Sequence, residues 1–161
     1  MMHTLVLGLG NLLLADEGVG VHVSRRLAER VRSNEVSVLD VGTAILDALP
    51  QIEEAGRVIV IDACRGGSKP GTIYALDIQE CVDRPFLGSL HGFDLKRVLA
   101  LTGRTSLPPV TVIGIEPARI AWALELSEEV EAVVPGVVDM LEQQLGGRPG
   151  PGDRCRSDRS S

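Results

Sequence analysis

Aromatic residues and long apolar runs are scarce in this 161-residue chain. Its four aromatic residues are Tyr74, Phe86, Phe93 and Trp122. Proteins that bind single-stranded nucleic acids stack the bases on aromatic platforms, so this scarcity argues against that class. No apolar run approaches the roughly 20 residues that a membrane-spanning helix needs. We therefore expect no membrane span.

Positive charge is also scarce. Sixteen Lys and Arg stand against 22 Asp and Glu, which gives a net charge of −6. The first 145 residues hold 12 basic and 20 acidic residues, a net charge of −8. A domain of that charge repels a phosphate backbone, so the sequence excludes nucleic acid as a partner. The acidic groups suit metal cations, a basic partner surface, or solubility alone.

The cysteines are few and their number is odd. Cys64, Cys81 and Cys155 have no close spacing, which argues against a disulfide framework and against a cysteine-rich zinc site. The N-terminal residues lack a basic region and read as a strand rather than as a signal peptide. These features predict a cytoplasmic protein.

Short apolar runs alternate with amphipathic segments, the pattern of an α/β fold. Strands are predicted at residues 4–7, 36–41, 58–61, 72–76 and 110–115, and helices at residues 19–31, 44–54, 93–101 and 127–145. The first three strands are expected to be parallel. Residues 1–145 then form a single domain. Residues 146–161 form a Gly-, Pro-, Arg- and Ser-rich tail that is expected to be disordered, because it has nothing apolar to bury.

Several local features refine this prediction. The uninterrupted β-branched run at residues 58–61 is typical of a strand buried on both faces. Ser127 is a good N-cap for the last helix. Pro50 and Pro135 fall inside predicted helices, where we expect them to disturb or kink the helix.

The segment Gly8-Leu9-Gly10 follows a strand and precedes a helix, which invites a dinucleotide-binding interpretation. That fingerprint requires a third glycine at position 13, which is Leu13 here. The intervening acids Asp16 and Glu17 would also repel a pyrophosphate. Asp40, at the end of the second strand, is placed like the acid that binds the ribose in dinucleotide-binding domains. A nucleotide-binding domain therefore stays a secondary alternative.

Carboxylates at strand ends offer a different interpretation. Asp16 and Glu17 precede the first helix, where acids commonly act as caps. Asp62 follows the central apolar run, at the edge of the sheet where ligands bind in such folds, although it also suits a turn cap. His91 precedes a later predicted helix. With Glu17 and Asp62 it completes a set of one nitrogen and two carboxylates, which suits a first-row divalent metal.

A cysteine nucleophile is the competing chemistry. Cys64 lies two residues after Asp62 and can be imagined as a dyad with His91. No local motif supports that dyad, and a buried structural cysteine is the commoner case.

Five blocks of this sequence resemble the hydrogenase maturation endopeptidases. The opening block, residues 5–20, reads LVLGLGNLLLADEGVG and is similar to the family's GxGN-x-L-x-x-D-D/E-x-x-G pattern. The later blocks follow in the family's order: DVGT (40–43), VIDA (60–63), SLHGFDL (89–95) and GIEP (114–117). The resemblance covers about residues 3–145.

The resemblance implies a twisted, mostly parallel five-stranded sheet between helices and an aspartic-type endopeptidase activity. Such enzymes remove a C-terminal extension from the large-subunit precursor of a [NiFe]-hydrogenase after nickel insertion. The family's catalytic and metal-contacting residues fall on Glu17, Asp62 and His91, and its substrate-recognition acid falls on Asp40. The nickel is supplied by the precursor. Two mechanisms of peptide-bond hydrolysis stay open. In one the metal polarises the carbonyl or a water, and in the other a carboxylate acts as the general base.

One position departs from the family pattern. Val41 stands where the family has the first of two glycines, and a β-branched residue disfavours a positive φ. This departure bears on the choice of substrate. The alternative from another functional class is a binding protein without catalytic activity that recognises whether its partner carries the metal.

Overall fold

The sheet has five main strands, of which four run parallel. The computed structural model describes residues 2–83, 88–89, 97, 100–101 and 108–146. The strands are β1 (Thr4–Leu9), β2 (Val36–Gly42), β3 (Arg57–Arg65), β4 (Ile73–Asp77), the two-residue β5 (Gly88–Ser89) and β6 (Val110–Ile115). Their order is β2-β1-β3-β6-β4, with β4 antiparallel to β6, and β5 pairs with the end of β3. The predicted α/β fold, with a mostly parallel five-stranded sheet, is confirmed.

Helices pack on both faces of this sheet. They are α1 (Val19–Arg30), α2 (Leu49–Glu54), α3 (Ile78–Asp83) and α4 (Glu128–Gln144), and 3-10 turns at Ala15–Gly18 and Ile45–Ala48 lead into α1 and α2. Alternate residues of β3 enter two separate cores. Ile59 and Ile61 pack with α1 and α4, whereas Val58 and Val60 pack with α2. All four side chains are buried, as predicted for a strand covered on both sides.

β3 extends beyond its apolar run. Its pairing with β6 continues through Asp62, opposite Gly114, and Ala63, opposite Ile115. β5 then pairs with Cys64 and Arg65. β3 therefore continues through the charged residue Asp62, because its buried backbone N–H and C=O groups pair with the neighbouring strands. The prediction of a strand limited to residues 58–61 is too short, and Asp62 lies inside the strand.

The prolines affect the helices less than expected. Pro50 lies in the first turn of α2, where its missing N–H leaves no hydrogen bond unmade and its fixed φ suits the helix. The prediction that Pro50 disturbs this helix is wrong. α4 continues from Glu128 to Gln144 through Pro135. Ser127 caps α4 as predicted, since its Oγ accepts a hydrogen bond from the Val130 N–H at 3.3 Å.

Two predicted segments lie mainly outside the described residues. In the predicted helix at residues 93–101, Arg97, Ala100 and Leu101 are helical, and the other positions are not described. The predicted tail at residues 146–161 lies outside the described residues from position 147 onward.

Candidate active site at the carboxyl edge of the sheet

The loop after β1 forms the 3-10 turn that carries Asp16 and Glu17. Ala15 begins this turn with a φ of +52°, in the left-handed region. Asp16 is completely buried, whereas Glu17 is half-buried. The N-cap residue of α1 is Gly18, which has no side chain to offer. The interpretation of Asp16 as a cap of α1 is therefore wrong.

Asp16 instead binds a distant segment of the chain. Its Oδ2 accepts hydrogen bonds from the backbone N–H groups of Ala118 and Arg119, both at 2.8 Å. Its Oδ1 accepts one from the Ser127 N–H at 2.7 Å. Three hydrogen bonds satisfy a buried carboxylate that would otherwise be costly to remove from water. We refer to residues 118–127 as the clamped segment.

Backbone hydrogen bonds reinforce this attachment. The Asp16 N–H donates to the Arg119 carbonyl at 3.1 Å, and the Ala15 N–H donates to the Ala123 carbonyl at 2.8 Å. The Ala123 N–H in turn donates to the Leu13 carbonyl at 3.1 Å. Sequence reasoning missed this role. The pair of adjacent acids indicates only that the two side chains face different ways, and it does not identify the distant partners of Asp16.

Glycines bring the Glu17 turn close to β1 and β3. A Cβ added to Gly20 would lie 2.1 Å from the Ile61 carbonyl oxygen and 2.3 Å from that of Leu9. Such distances are impossible for a real side chain, so the start of α1 rests directly on strand backbone. Glu17 precedes Gly20 by three residues, and Asp62 follows Ile61. The close packing thus places both carboxylates at the same edge of the sheet.

Asp62 is completely buried within β3. Its Oδ1 accepts a hydrogen bond from the Ala63 N–H at 2.8 Å. The residue next to it on β6 is Gly114. The alternative interpretation of Asp62 as a turn cap is therefore wrong, since the residue lies in a paired strand.

The third predicted ligand, His91, lies outside the described residues. Among the residues that the structure does describe, no three His, Cys, Asp or Glu side chains are grouped so that they could hold a metal ion. The assignment of Glu17, Asp62 and His91 to one metal site therefore stays a prediction.

The glycines of the proposed nucleotide loop have a packing role. A Cβ on Gly8 would lie 2.2 Å from Ser24 Oγ, and one on Gly10 would lie 1.9 Å from the Glu17 carbonyl oxygen. The space that these glycines leave is filled by α1 and by the Glu17 turn. A pyrophosphate would need that same space. The Gly8-Leu9-Gly10 sequence is thus explained without a nucleotide.

Asp40 lies at the same edge, at the end of β2. Its Oδ2 accepts a hydrogen bond from Arg25 Nε at 2.7 Å, and its side chain is one-third exposed. The register of β1 and β2 shifts here, so that Gly8 pairs with Asp40 and Leu9 pairs with Gly42. The extra residue of this bulge is Val41.

The bulge explains how Val41 is accommodated. The positive φ of +59° falls on Gly42, the glycine that this chain retains. Val41 itself packs at the margin of the α2 core. The conformational objection to valine at this position therefore does not apply.

Glu116, in the GIEP block, is a buried carboxylate whose role its local sequence does not indicate. Its Oε2 accepts hydrogen bonds from the Gly66 N–H at 2.6 Å and from the Tyr74 hydroxyl at 2.8 Å. Burial raises the pKa of Tyr74, and the bond to Glu116 raises it further, against the opposing effect of Ser68. A cavity of about 330 Å³ adjoins Glu116 and is lined also by Arg65 and Arg119.

Cys64 is completely buried. A Cβ on Gly114 would lie only 2.4 Å from the Cys64 Cβ, so the side chain of this cysteine occupies the space above a glycine in the sheet. This position favours the structural interpretation of Cys64.

Comparisons with known proteins agree with one another. A family model for hydrogenase maturation protease matches residues 21–144. The hydrogenase expression/formation protein HupD of Rhizobium leguminosarum bv. viciae is 34% identical over 149 residues, which cover 88% of this chain and 73% of that protein.

Solved structures extend the agreement to the fold. The hydrogenase maturating endopeptidase HybD from E. coli matches with a TM-score of 0.79 and 31% identity, over 89% of this chain and 92% of that one. The [NiFe] hydrogenase maturation protease HybD from Thermococcus kodakarensis matches with a TM-score of 0.76 and 33% identity, over 90% and 100%.

Within the described part of the chain, no helix has the length and apolar character to cross a membrane. The matching family model covers most of the chain, and relatives above 30% identity span nearly all of the α/β domain. The chain therefore belongs to the hydrogenase maturation protease family and is a peptidase of hydrogenase maturation.

Proposed function

We propose that this peptidase removes the C-terminal extension of a [NiFe]-hydrogenase large-subunit precursor after nickel insertion. The observation that carries the proposal is the contact of Gly20 with the Ile61 carbonyl, which sets Glu17 and Asp62 at one edge of the sheet. Carboxyl ends of parallel strands are where ligands bind in folds of this type. The reaction is placed in the cytoplasm, as the cysteine content suggests.

In this proposal the nickel belongs to the substrate. The precursor brings the ion bound by its own thiolates, and Glu17, Asp62 and His91 complete the coordination. Carboxylate oxygen and imidazole nitrogen both suit a first-row divalent ion. Three side chains leave the coordination sphere incomplete, so the peptidase alone is expected to bind nickel weakly. A precursor without nickel then lacks the group that these residues recognise.

The carboxylates also supply the hydrolytic chemistry in this proposal. Glu17 is half-buried and Asp62 is completely buried, so Glu17 is the acid that water reaches more easily. A carboxylate in that position takes a proton from the attacking water and delivers it to the amide nitrogen of the departing extension as the C–N bond breaks. The ion polarises the carbonyl of the bond to be cut. This is aspartic-type chemistry in the sense that no serine or cysteine attacks the substrate.

Asp40 is the substrate-recognition residue of the proposal. Arg25 Nε holds its Oδ2, which fixes the carboxylate and leaves Oδ1 for a backbone N–H of the precursor. The partial exposure of Asp40 fits a group that contacts a peptide.

Variants that remove a carboxylate charge or the imidazole nitrogen test the proposed site. We expect Glu17→Gln, Asp62→Asn and His91→Gln each to lower the rate of processing of nickel-loaded precursor by more than about 100-fold. Even a partner outside the shell of metal ligands typically contributes 10–100-fold. The measurement is the mobility shift of the precursor on a gel over time, with circular dichroism to verify folding.

Glu29→Gln is the matched control, because Glu29 is an exposed acid in the last turns of α1. It should process at the wild-type rate. Wild-type activity in any of the three site variants would remove that residue from the site. Equal cleavage of nickel-free and nickel-loaded precursor would refute the role of the ion.

A further inference from the structure

Three large apolar side chains are exposed beside the Glu17 turn. Leu13 is 51% exposed, Trp122 is 81% exposed and Leu124 is 63% exposed. We call these three residues the apolar patch. The other large apolar side chains that are comparably exposed in the described part of the chain lie singly on separate segments: Met2, Leu46, Ile73 and Leu101. Single exposed apolar residues are ordinary, whereas a group of them marks an interaction site.

Backbone pairing brings the patch together. Leu14 and Ala123 form a parallel bridge, so Leu13 and Trp122, which precede them, are neighbours across the two segments. Leu124 follows Ala123 directly. The patch therefore joins the loop that carries Glu17 to the clamped segment.

The patch is also held rigidly. Asp16 binds the clamped segment on both sides of Trp122, through Arg119 and through Ser127. A loop without such attachments could turn its tryptophan inward and bury it. A surface that is already fixed loses little conformational entropy when a partner binds. Tryptophan is, in addition, among the residues that most often dominate binding energy at interfaces.

We propose that the apolar patch is the docking surface for the folded body of the large-subunit precursor. This inference rests on the proposed function, in which the precursor's metal centre contacts Glu17. A stable protein interface covers about 800 Å² on each partner, which is a disc of about 16 Å radius if it is round. Leu13 is four residues from Glu17, so their Cα atoms are no more than about 15 Å apart. A precursor seated on Glu17 with a footprint of that size reaches Leu13, and Trp122 is the neighbour of Leu13 across the Leu14–Ala123 bridge.

The chain offers a direct probe, because Trp122 is its one tryptophan. Full-length protein labelled with 5-fluorotryptophan gives a single ¹⁹F resonance. We expect unlabelled, nickel-loaded precursor to change the chemical shift of this resonance at the stoichiometry at which the two proteins co-elute in gel filtration. An unchanged resonance in the co-eluting complex would overturn the proposal, even if Trp122 variants could not be made.

Kinetics give the second test. Trp122→Ala is expected to raise KM for the nickel-loaded precursor by about tenfold or more, as for a central interface residue, with kcat within twofold. Met2→Ala is the matched control: Met2 is 68% exposed but precedes β1, at the opposite edge of the sheet. It should leave KM unchanged. A wild-type KM for folded Trp122→Ala, or equal effects of the two variants, would refute the docking surface.

Two other occupants have distinct signatures. A ¹⁹F resonance that moves with protein concentration, without precursor, would show that a second copy covers the patch. A resonance that moves on deletion of residues 147–161 would show that the chain's own C-terminal segment covers it. Either result would overturn the proposal. If wild-type protein fails to process any nickel-loaded precursor, the proposed function fails instead, and the two failures are thus distinguishable.

Discussion

Asp16 and Glu17 are adjacent acids with separate tasks. The buried Asp16 accepts three backbone hydrogen bonds from the clamped segment, and Glu17 remains accessible. Charged acceptors form the stronger class of hydrogen bond. The position of Glu17 is therefore set by the carboxylate of its neighbour.

Replacing Asp16 tests this dependence. We expect Asp16→Asn to lower the free energy of unfolding by about 2–4 kcal/mol, because an amide has one acceptor oxygen and leaves buried N–H donors unsatisfied. Urea denaturation measures the loss. Asp47→Asn is the matched control, since Asp47 is an exposed acid in the other 3-10 turn, and it should change stability by less than about 0.5 kcal/mol. Similar losses in both variants would contradict the role of Asp16.

The residues of the candidate site differ in whether the neighbouring sequence is enough to suggest their roles. Asp62 could be proposed from the sequence because it follows an apolar run at the ligand-binding edge of the predicted sheet, and Glu17 because it falls on an acid of the family's opening block. The role of Asp16 could not, because its partners lie 102 to 111 residues further along the chain. Glu116 was missed for the same reason, since Gly66 and Tyr74 are remote from it in sequence.

At the scale of elements, α1 also contributes to the position of Glu17, and its contact with the sheet requires glycine. Gly20 rests on the carbonyl oxygens of Leu9 and Ile61. Any side chain at this position would push the start of α1, and with it the Glu17 turn, away from β3.

A pair of glycine variants isolates this contact. Alanine is intrinsically better in a helix than glycine by up to about 1 kcal/mol. We expect Gly136→Ala in α4 to raise stability by roughly that amount, because nothing lies within 4 Å of its added Cβ. Gly20→Ala should instead lower stability, by about 2 kcal/mol or more, since backbone must move. Thermal and urea unfolding measure both, and a stable Gly20→Ala would contradict the packing that we describe.

Elements with a strong local pattern were predicted well. β6 has the predicted bounds, Val110–Ile115, because its apolar run coincides with its hydrogen bonding. β3 was predicted too short because pairing with β5 and β6 extends it through Asp62, and such pairing leaves no mark on the strand's own sequence. The effect of Pro50 depends on its position within the helix. Helix boundaries predicted from sequence are accurate only to a few residues, so that position could not be predicted.

At the scale of the whole molecule, His22 lies where α1, the clamped segment and α4 meet. Its Nε2 is buried and has no hydrogen-bond partner among the described residues. Burial lowers the pKa of His22, and the nearby charges of Arg26 and Arg25 lower it further. Glu131 on α4 and a hydrogen bond with the Leu124 backbone oppose this. The folded protein therefore favours the neutral ring.

This pKa shift predicts a pH dependence of stability. Below the ordinary histidine pKa of about 6.5, the unfolded chain binds a proton more readily than the folded one, so stability falls as the pH is lowered. We expect His22→Gln to lose less stability than wild type between pH 7 and pH 5. Urea denaturation across this range measures the difference. Parallel profiles for the two proteins would contradict the prediction.

The hydrogen bonds of Asp16 also have a consequence for biosynthesis. Because its most distant partner is Ser127, 111 residues later, a nascent chain that has emerged only as far as β3 lacks every backbone N–H that the Asp16 carboxylate binds. At translation rates of about 5–20 residues per second, the 62 residues from the end of β3 to Ser127 take roughly 3 to 12 seconds to make. During that interval the Asp16 carboxylate lacks its backbone partners, so the Glu17 turn gains its last attachment only late in synthesis.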